Sequence, residues 1–146
     1  CERDHQSDRA LGGRPKKLIL AVHLAQGTLP MSCKVCRDPE AVKPRQAWGC
    51  DADAAEDVWA IECVRCGGQN PTCERCAGTG QESGRRCPQF LLAGRHDIHE
   101  VLRMYALLTN HGLLPNEGAA LDQSPAFMAA VRLIDNELAE IRKRKA

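Results

Sequence analysis

Apolar positions recur with helical spacing only towards the end of the chain. Ile98, Val101, Leu102, Tyr105 and Leu108 fall at i, i+3, i+4, i+7 and i+10, one face of a helix. Gly112 is a C-terminal stop and Pro115 follows it. The stretch GLLPNEGAALDQ then runs as a loop to Ser124. Ser124-Pro125 supplies an N-cap and a proline for the first helical position. Behind it Phe127, Val131, Ile134, Leu138 and Ile141 repeat at 4, 3, 4, 3 spacing, and Arg142, Lys143, Arg144 and Lys145 suit the negative end of the helix dipole. The pattern predicts two helices packed as a hairpin over residues 91–146. The Phe127–Ile141 seam is expected to face the first helix or a partner.

The rest of the chain is patterned differently. Leu18–Ala25 is a short apolar run that reads as a strand or as a turn or two of helix. It follows Arg14, Lys16 and Lys17, as a secretion signal would, but it is short and no small-x-small cleavage site follows, so a signal is not expected. The chain opens on Cys1, and Met31 offers itself as a start, so residues 1–30 are expected to be flexible or non-native. Residues 31–90 carry neither helical nor alternating periodicity at length. Gly67, Gly68, Gly78, Gly80, Gly84 and several prolines favour turns and short strands there. One short helix is expected within Asp51–Ala60, capped by Asp51 or Asp53.

Composition narrows the function. Lys and Arg total 20 and Asp and Glu 19, a formal charge of +1, which gives no field for clamping nucleic acid or an anionic membrane. Two Trp, two Phe and one Tyr in 146 residues make no base-stacking platform. No apolar run approaches the ~20 residues of a membrane span. Cysteine is the outlier, at nine.

Eight of the nine lie between positions 33 and 87. Cys33-x2-Cys36 is followed by 13 residues to Cys50 and 12 more to Cys63. Cys63-x2-Cys66-x6-Cys73-x2-Cys76 comes next, then 10 residues to Cys87. Two residues between cysteines let the chain turn so that both sulfurs reach one ion at ~2.3 Å, and four thiolates close a tetrahedral zinc site. Eight therefore fill two sites. Large apolar side chains are scarce in this region (Val35, Val42, Trp48, Val58, Trp59, Ile61 and Val64), so metal rather than packing is expected to give it shape. Cys63-Val-Arg-Cys66-Gly-Gly-Gln-Asn and Cys73-Glu-Arg-Cys76-Ala-Gly-Thr-Gly are one eight-residue unit repeated at an offset of ten. Asn70 stands where the second copy has Gly80, and Asn is the next best residue for a left-handed backbone.

The unit resembles the Cys-x-x-Cys-x-Gly-x-Gly repeat of the DnaJ-type cysteine-rich zinc module over residues 63–80, with two copies in place of that family's usual four. The resemblance implies zinc ligation by Cys63, Cys66, Cys73 and Cys76. No His-Pro-Asp of a J-domain is present. The wider pattern of Cys33-x-x-Cys36, Trp48-Gly-Cys50-Asp, the double knuckle, Arg86-Cys87-Pro88 and Leu114-Pro115…Gly118…Leu121-Asp122-Gln123 is similar to small uncharacterised proteins encoded among bacteriophage structural genes. That similarity implies a role in virion or tail morphogenesis.

The sequence thus predicts a small zinc-stabilised α+β protein, with an irregular, short-strand, zinc-ribbon-like module followed by the helical hairpin. One ion is assigned to Cys63, Cys66, Cys73 and Cys76 and a second to Cys33, Cys36, Cys50 and Cys87. A crossed arrangement, mixing the first pair with a later one, is the competing partition. Four disulfides and a redox-active Cys-x-x-Cys are the rival thiol chemistries; no thioredoxin-like βαβ pattern supports the latter. Lys34, Arg37, Arg65, Arg75, Arg85 and Arg86 lie near cysteines, where cations offset the −2 charge of a four-thiolate zinc centre, or contact phosphates in a nucleic-acid-binding zinc ribbon. His96 and His99 stand in His-Asp-Ile-His-Glu, which is not the zinc-protease pattern, and read as solvent-facing. The expected function is a non-catalytic, cytoplasmic or virion-borne adaptor or assembly protein. It would bind a protein partner or itself; the alternative is nucleic-acid binding, and no membrane role is expected.

Overall fold

The computed structural model describes residues 14–29, 31–33 and 45–145. They divide into two compact units, one drawn from residues 23–93 and one from residues 14–22 with 94–145.

Helix α1 spans Arg14–Ala25, so the apolar run is helical rather than extended. Leu, Ala and Lys are strong helix formers, and Pro15 lies in the first turn, where its missing N–H costs nothing. Leu18 to His23 are buried in unbroken succession, the mark of an enclosed helix rather than a surface one. Its end is tied off by Thr28, whose N–H and hydroxyl both donate to the His23 carbonyl at 3.0 Å.

In the unit of residues 23–93, strands β1 (Trp59–Glu62) and β2 (Gln81–Gly84) form an antiparallel pair, with Trp59 opposite Gly84 and Ile61 opposite Glu82. Trp59 and Ile61 point inwards, and the Trp59 indole donates to the Arg86 carbonyl at 2.8 Å. The helix expected within Asp51–Ala60 does not form. The amides of Ala54 and Val58 are given to the carbonyls of Arg85 and Gly84, 2.8 and 2.9 Å away, so the chain extends the hairpin instead. The Asp51 carboxylate that would have capped the helix is taken by Arg45, with contacts of 3.0 and 2.7 Å. A short helix, α2 (Pro88–Leu92), follows Cys87 with a proline in its first turn. Everything between β1 and β2, residues 63–80, is the cysteine repeat. The doubled unit is thus the loop of a two-stranded hairpin, and a loop of that length needs a clamp of its own.

In the other unit, α3 (His96–His111) ends at Gly112 and α4 (Pro125–Lys145) begins behind Ser124, whose hydroxyl accepts the Phe127 N–H at 3.1 Å. Val131, Ile134 and Ile141 of the expected seam are buried, and Phe127 and Leu138 are half-buried. Tyr105 on α3 donates to the Asp135 carboxylate on α4 at 2.6 Å. Gln123, buried in the connecting loop, bonds the N–H and C=O of Asn116 and fixes the approach to α4. Among the described residues no helix is long and apolar enough to cross a membrane. The architecture is a small α+β protein with four helices among the described residues, a two-stranded sheet and a C-terminal helix pair.

Candidate metal centre

The hairpin loop folds back on itself because each copy turns tightly, with one bond shared at the offset of ten and the other a residue longer in the second copy. In the first, the Gly67 N–H bonds the Cys63 carbonyl at 2.8 Å and the Gln69 N–H bonds that of Cys66 at 3.1 Å. In the second, Gly78 N–H bonds Cys73 and Thr79 N–H bonds Cys76, at 3.2 and 3.0 Å. Two further bonds close the pair into a ring, Cys63 N–H to the Gly80 carbonyl at 2.9 Å and Cys73 N–H to that of Asn70 at 3.2 Å. The turns interlock. A Cβ on Gly78 would fall on the Pro71 carbonyl oxygen, and one on Gly80 would lie 3.1 Å from the Gly68 backbone.

Asn70 departs from its expected role. Its backbone stays out of the left-handed region, where Ala77 alone of the described non-glycine residues sits, at φ 49°. Its side-chain oxygen instead accepts the Thr72 N–H and hydroxyl at 2.9 and 2.8 Å, an Asx turn leading into the second copy.

The ring brings four sulfurs together. The Sγ atoms of Cys63, Cys66, Cys73 and Cys76 all lie within 4.8 Å of one another. Cys63 and Cys73 are 3.8 Å apart, and Cys66 and Cys76 are 3.7 Å apart. Four sulfurs each ~2.3 Å from a common centre form a tetrahedron with edges of about 3.8 Å. A disulfide would put two of them at about 2.05 Å. All four are free thiols, and all but the half-buried Cys66 are buried. This cluster could hold a metal ion.

The backbone prepares the sulfurs unequally. Burial pushes the Cys63 thiol up to about 11, although the amides of Arg65 and Cys66 donate to it. The Asn70 amide, with that of Gly68, brings Cys66 down to about 7. Amides aimed at sulfur stabilise thiolate, the form that binds metal.

Of the other four cysteines between positions 33 and 87, Cys50 and Cys87 are neighbours. Their thiols hydrogen-bond, and burial holds the Cys87 thiol above its usual value against the amides of Phe90 and Gln89, which donate to it. The loops carrying them are joined by Cys87 N–H to the Gly49 carbonyl at 3.0 Å, while the Cys50 N–H bonds the Arg45 carbonyl at 3.0 Å. Cys33 is exposed and is not grouped with them, and Cys36 lies outside the described residues, as do Lys34 and Arg37. Two buried donors near this pair in the sequence, Trp48 Nε1 and Arg86 Nε, have no hydrogen-bond partner among the described residues.

Three of the cations near cysteines have carboxylate neighbours: Arg65 with Glu74 at 3.9 Å, Arg75 with Glu82 at 2.6 Å and Arg86 with Asp53 at 3.4 Å. His96 and His99 are exposed and join no candidate ligand cluster among the described residues. Cysteine spacing alone finds the four-sulfur cluster. It does not find Glu82, which takes an inward place in β2 where alternation with Gln81 and Ser83 was the sole signal. Compared with protein-family models, with curated proteins and with solved structures, the chain matches none.

Proposed function

We propose that Cys63, Cys66, Cys73 and Cys76 hold a structural zinc ion, and that the protein is a non-catalytic scaffold for protein assembly. The carrying observation is the near-tetrahedral spacing of four free sulfurs. Zinc suits it because all-sulfur tetrahedral ligation is the chemistry of structural zinc, and four protein ligands leave no position for a substrate or a reactive water. Thiols kept free at such spacing fit a reducing compartment, the cytoplasm or a particle assembled there.

A second zinc is assigned to Cys50 and Cys87 with Cys33 and Cys36. Its support is the contact between Cys50 and Cys87, the two amides given to Cys87, and the Trp48 Nε1 and Arg86 Nε donors without a partner among the described residues, which suit a negatively charged sulfur centre nearby. The metal's part is geometric: it fixes the hairpin loop. The partner is another protein or a second copy. The bacteriophage-like cysteine pattern is the ground for placing that assembly in virion or tail morphogenesis.

Native mass spectrometry of the full chain tests the metal, with two zinc ions per chain expected. Absence of bound metal from protein purified under reducing conditions defeats the reading. One zinc per chain, retained when Cys50 and Cys87 are both changed to serine, removes the second site alone. For the scaffold, light scattering and co-purification are expected to show an oligomer or a bound protein. A monomer that binds DNA or RNA in a salt-dependent way replaces it with the nucleic-acid alternative.

A further inference from the structure

Glu82 is a carboxylate where a strand should bury something apolar. It lies opposite Ile61, on the inward side of the hairpin, and its side chain is 4% exposed. Burying a charge there is costly unless it is paired and hydrogen-bonded. Its partners explain its presence. Oε1 accepts the Val64 N–H at 3.1 Å and the Arg75 Nε–H at 2.6 Å, and Arg75 Nη2 lies 3.4 Å from Oε2. Val64 is inside the Cys63-x-x-Cys66 turn, and Arg75 is inside the Cys73-x-x-Cys76 turn. One oxygen therefore ties together the two turns that carry the four sulfurs.

We infer that Glu82 is the positioning residue of the metal centre: its carboxylate, reaching from β2, holds both Cys-x-x-Cys turns in ligating geometry and so sets how tightly the ion is kept. The inference rests on the proposal that the four cysteines bind metal. Two consequences of the geometry support it. By taking the Val64 N–H, the carboxylate fixes the first turn so that the next two amides, of Arg65 and Cys66, face the Cys63 sulfur. By pairing with Arg75, it anchors the second turn at its midpoint and neutralises its own charge beside a centre that carries −2 when zinc is bound. The exposed Arg65–Glu74 pair also joins the turns, but at 3.9 Å and in solvent it adds little. Glu82 is built into the sheet as well, so it couples the strand register to the ligand set.

The test measures zinc affinity of the full chain by competition with a chromophoric chelator, and the spectrum of the cobalt(II)-substituted protein. Glu82→Gln keeps an acceptor for the Val64 amide but loses the ion pair; Glu82→Ala loses both. Outer partners of metal ligands are worth 10–100-fold in affinity. A loss in that range is expected for Glu82→Ala and a smaller one for Glu82→Gln, with partial recovery in Glu82→Asp. Arg75→Gln, a half-exposed change that leaves the sheet intact, is expected to weaken binding as well. The double variant Glu82→Gln/Arg75→Gln should lose less than the two singles combined, because the pair acts as a unit. The cobalt d–d bands should change shape in the Glu82 variants, while Tyr105→Phe, in the other unit, leaves bands and affinity as they are. Unchanged affinity and spectrum in both Glu82→Gln and Arg75→Gln overturn the inference. Failure of the unaltered protein to bind zinc or cobalt overturns the metal proposal itself.

Discussion

Removing the metal should dismantle one unit of this protein and spare most of the helix in the other. Among the described residues, large apolar side chains buried in the unit of residues 23–93 are Leu29, Met31, Trp59, Ile61 and Leu92. The loop of residues 63–80 contributes almost none; what it buries is Cys63, Cys73 and Cys76. A structural zinc supplies about 10–16 kcal/mol of apparent folding free energy at pH 7. A whole domain is stable by only about 5–15 kcal/mol. The ion's share is therefore as large as the net stability, and the stripped unit should unfold rather than loosen. The assay separates the units without labels. Trp48 and Trp59 both lie in residues 23–93, with Trp59 only 5% exposed, so tryptophan emission reports on that unit. Helices α3 and α4 contain no cysteine and dominate the far-ultraviolet circular dichroism. Treatment with a strong chelator, with metal loss verified by mass spectrometry, is expected to shift the tryptophan emission to the red. Most helical signal should persist, and zinc should reverse the shift. If the metal is gone and both the emission and the denaturation midpoint stay where they were, packing holds the hairpin loop and the reasoning fails.

Three further outcomes follow from single contacts. Tyr105→Phe removes the hydroxyl donated to Asp135 and should cost about 1 kcal/mol in chemical denaturation of the helical unit. Burial, and then the Asp135 contact, push the Tyr105 phenol up to about 12. A phenol held above its ordinary value of 10.0 stabilises the fold below that pH and ceases to as pH climbs through about 12, so the variant should show a flatter loss of stability on the alkaline side. Gly78→Ala meets the Pro71 carbonyl and a φ of 77°; it should lower zinc affinity and the thermal midpoint together, read by chelator competition and scanning calorimetry. Ser124→Ala leaves the Phe127 amide without its cap and should cost ~1 kcal/mol of helix stability by urea titration, with metal content unchanged.

What could be read from the chain was whatever its chemistry settles within a few residues. Gly112, Ser124-Pro125 and the spacing of Phe127 to Ile141 mark α3 and α4 because stop signals, caps and apolar periodicity act over one or two turns. The Cys63 to Cys76 cluster is legible for the same reason: each Cys-x-x-Cys is a local device. Reading failed where a group was claimed from a distance. Asp51 is a good cap in isolation, but Arg45 holds its carboxylate and Arg85 and Gly84 hold the amides a helix needs. Asn70 could adopt a left-handed backbone, yet its side chain is better used in bonding Thr72. Whether Leu18–Ala25 is strand or helix depends on what surrounds it, which an apolar run does not reveal. Glu82 reads as a surface strand residue until the two turns it ties are brought to it.

The two copies of the repeat are under unequal constraint. In the second, Gly78 and Gly80 are pressed against the Pro71 and Gly68 backbone, so a side chain at either is opposed by sterics as well as by torsion. In the first, Gly67 meets nothing within 4 Å, and the position matching Gly80 already carries Asn70. Random drift would thus erode the leading copy first and leave the trailing one close to its ancestral spelling. A descendant lineage in which the full Cys-x-x-Cys-x-Gly-x-Gly signature survives once, preceded by a bare Cys-x-x-Cys that has lost its glycines, would still encode the same four-sulfur ring. Its kinship would show in the trailing half long after the leading half had become unrecognisable.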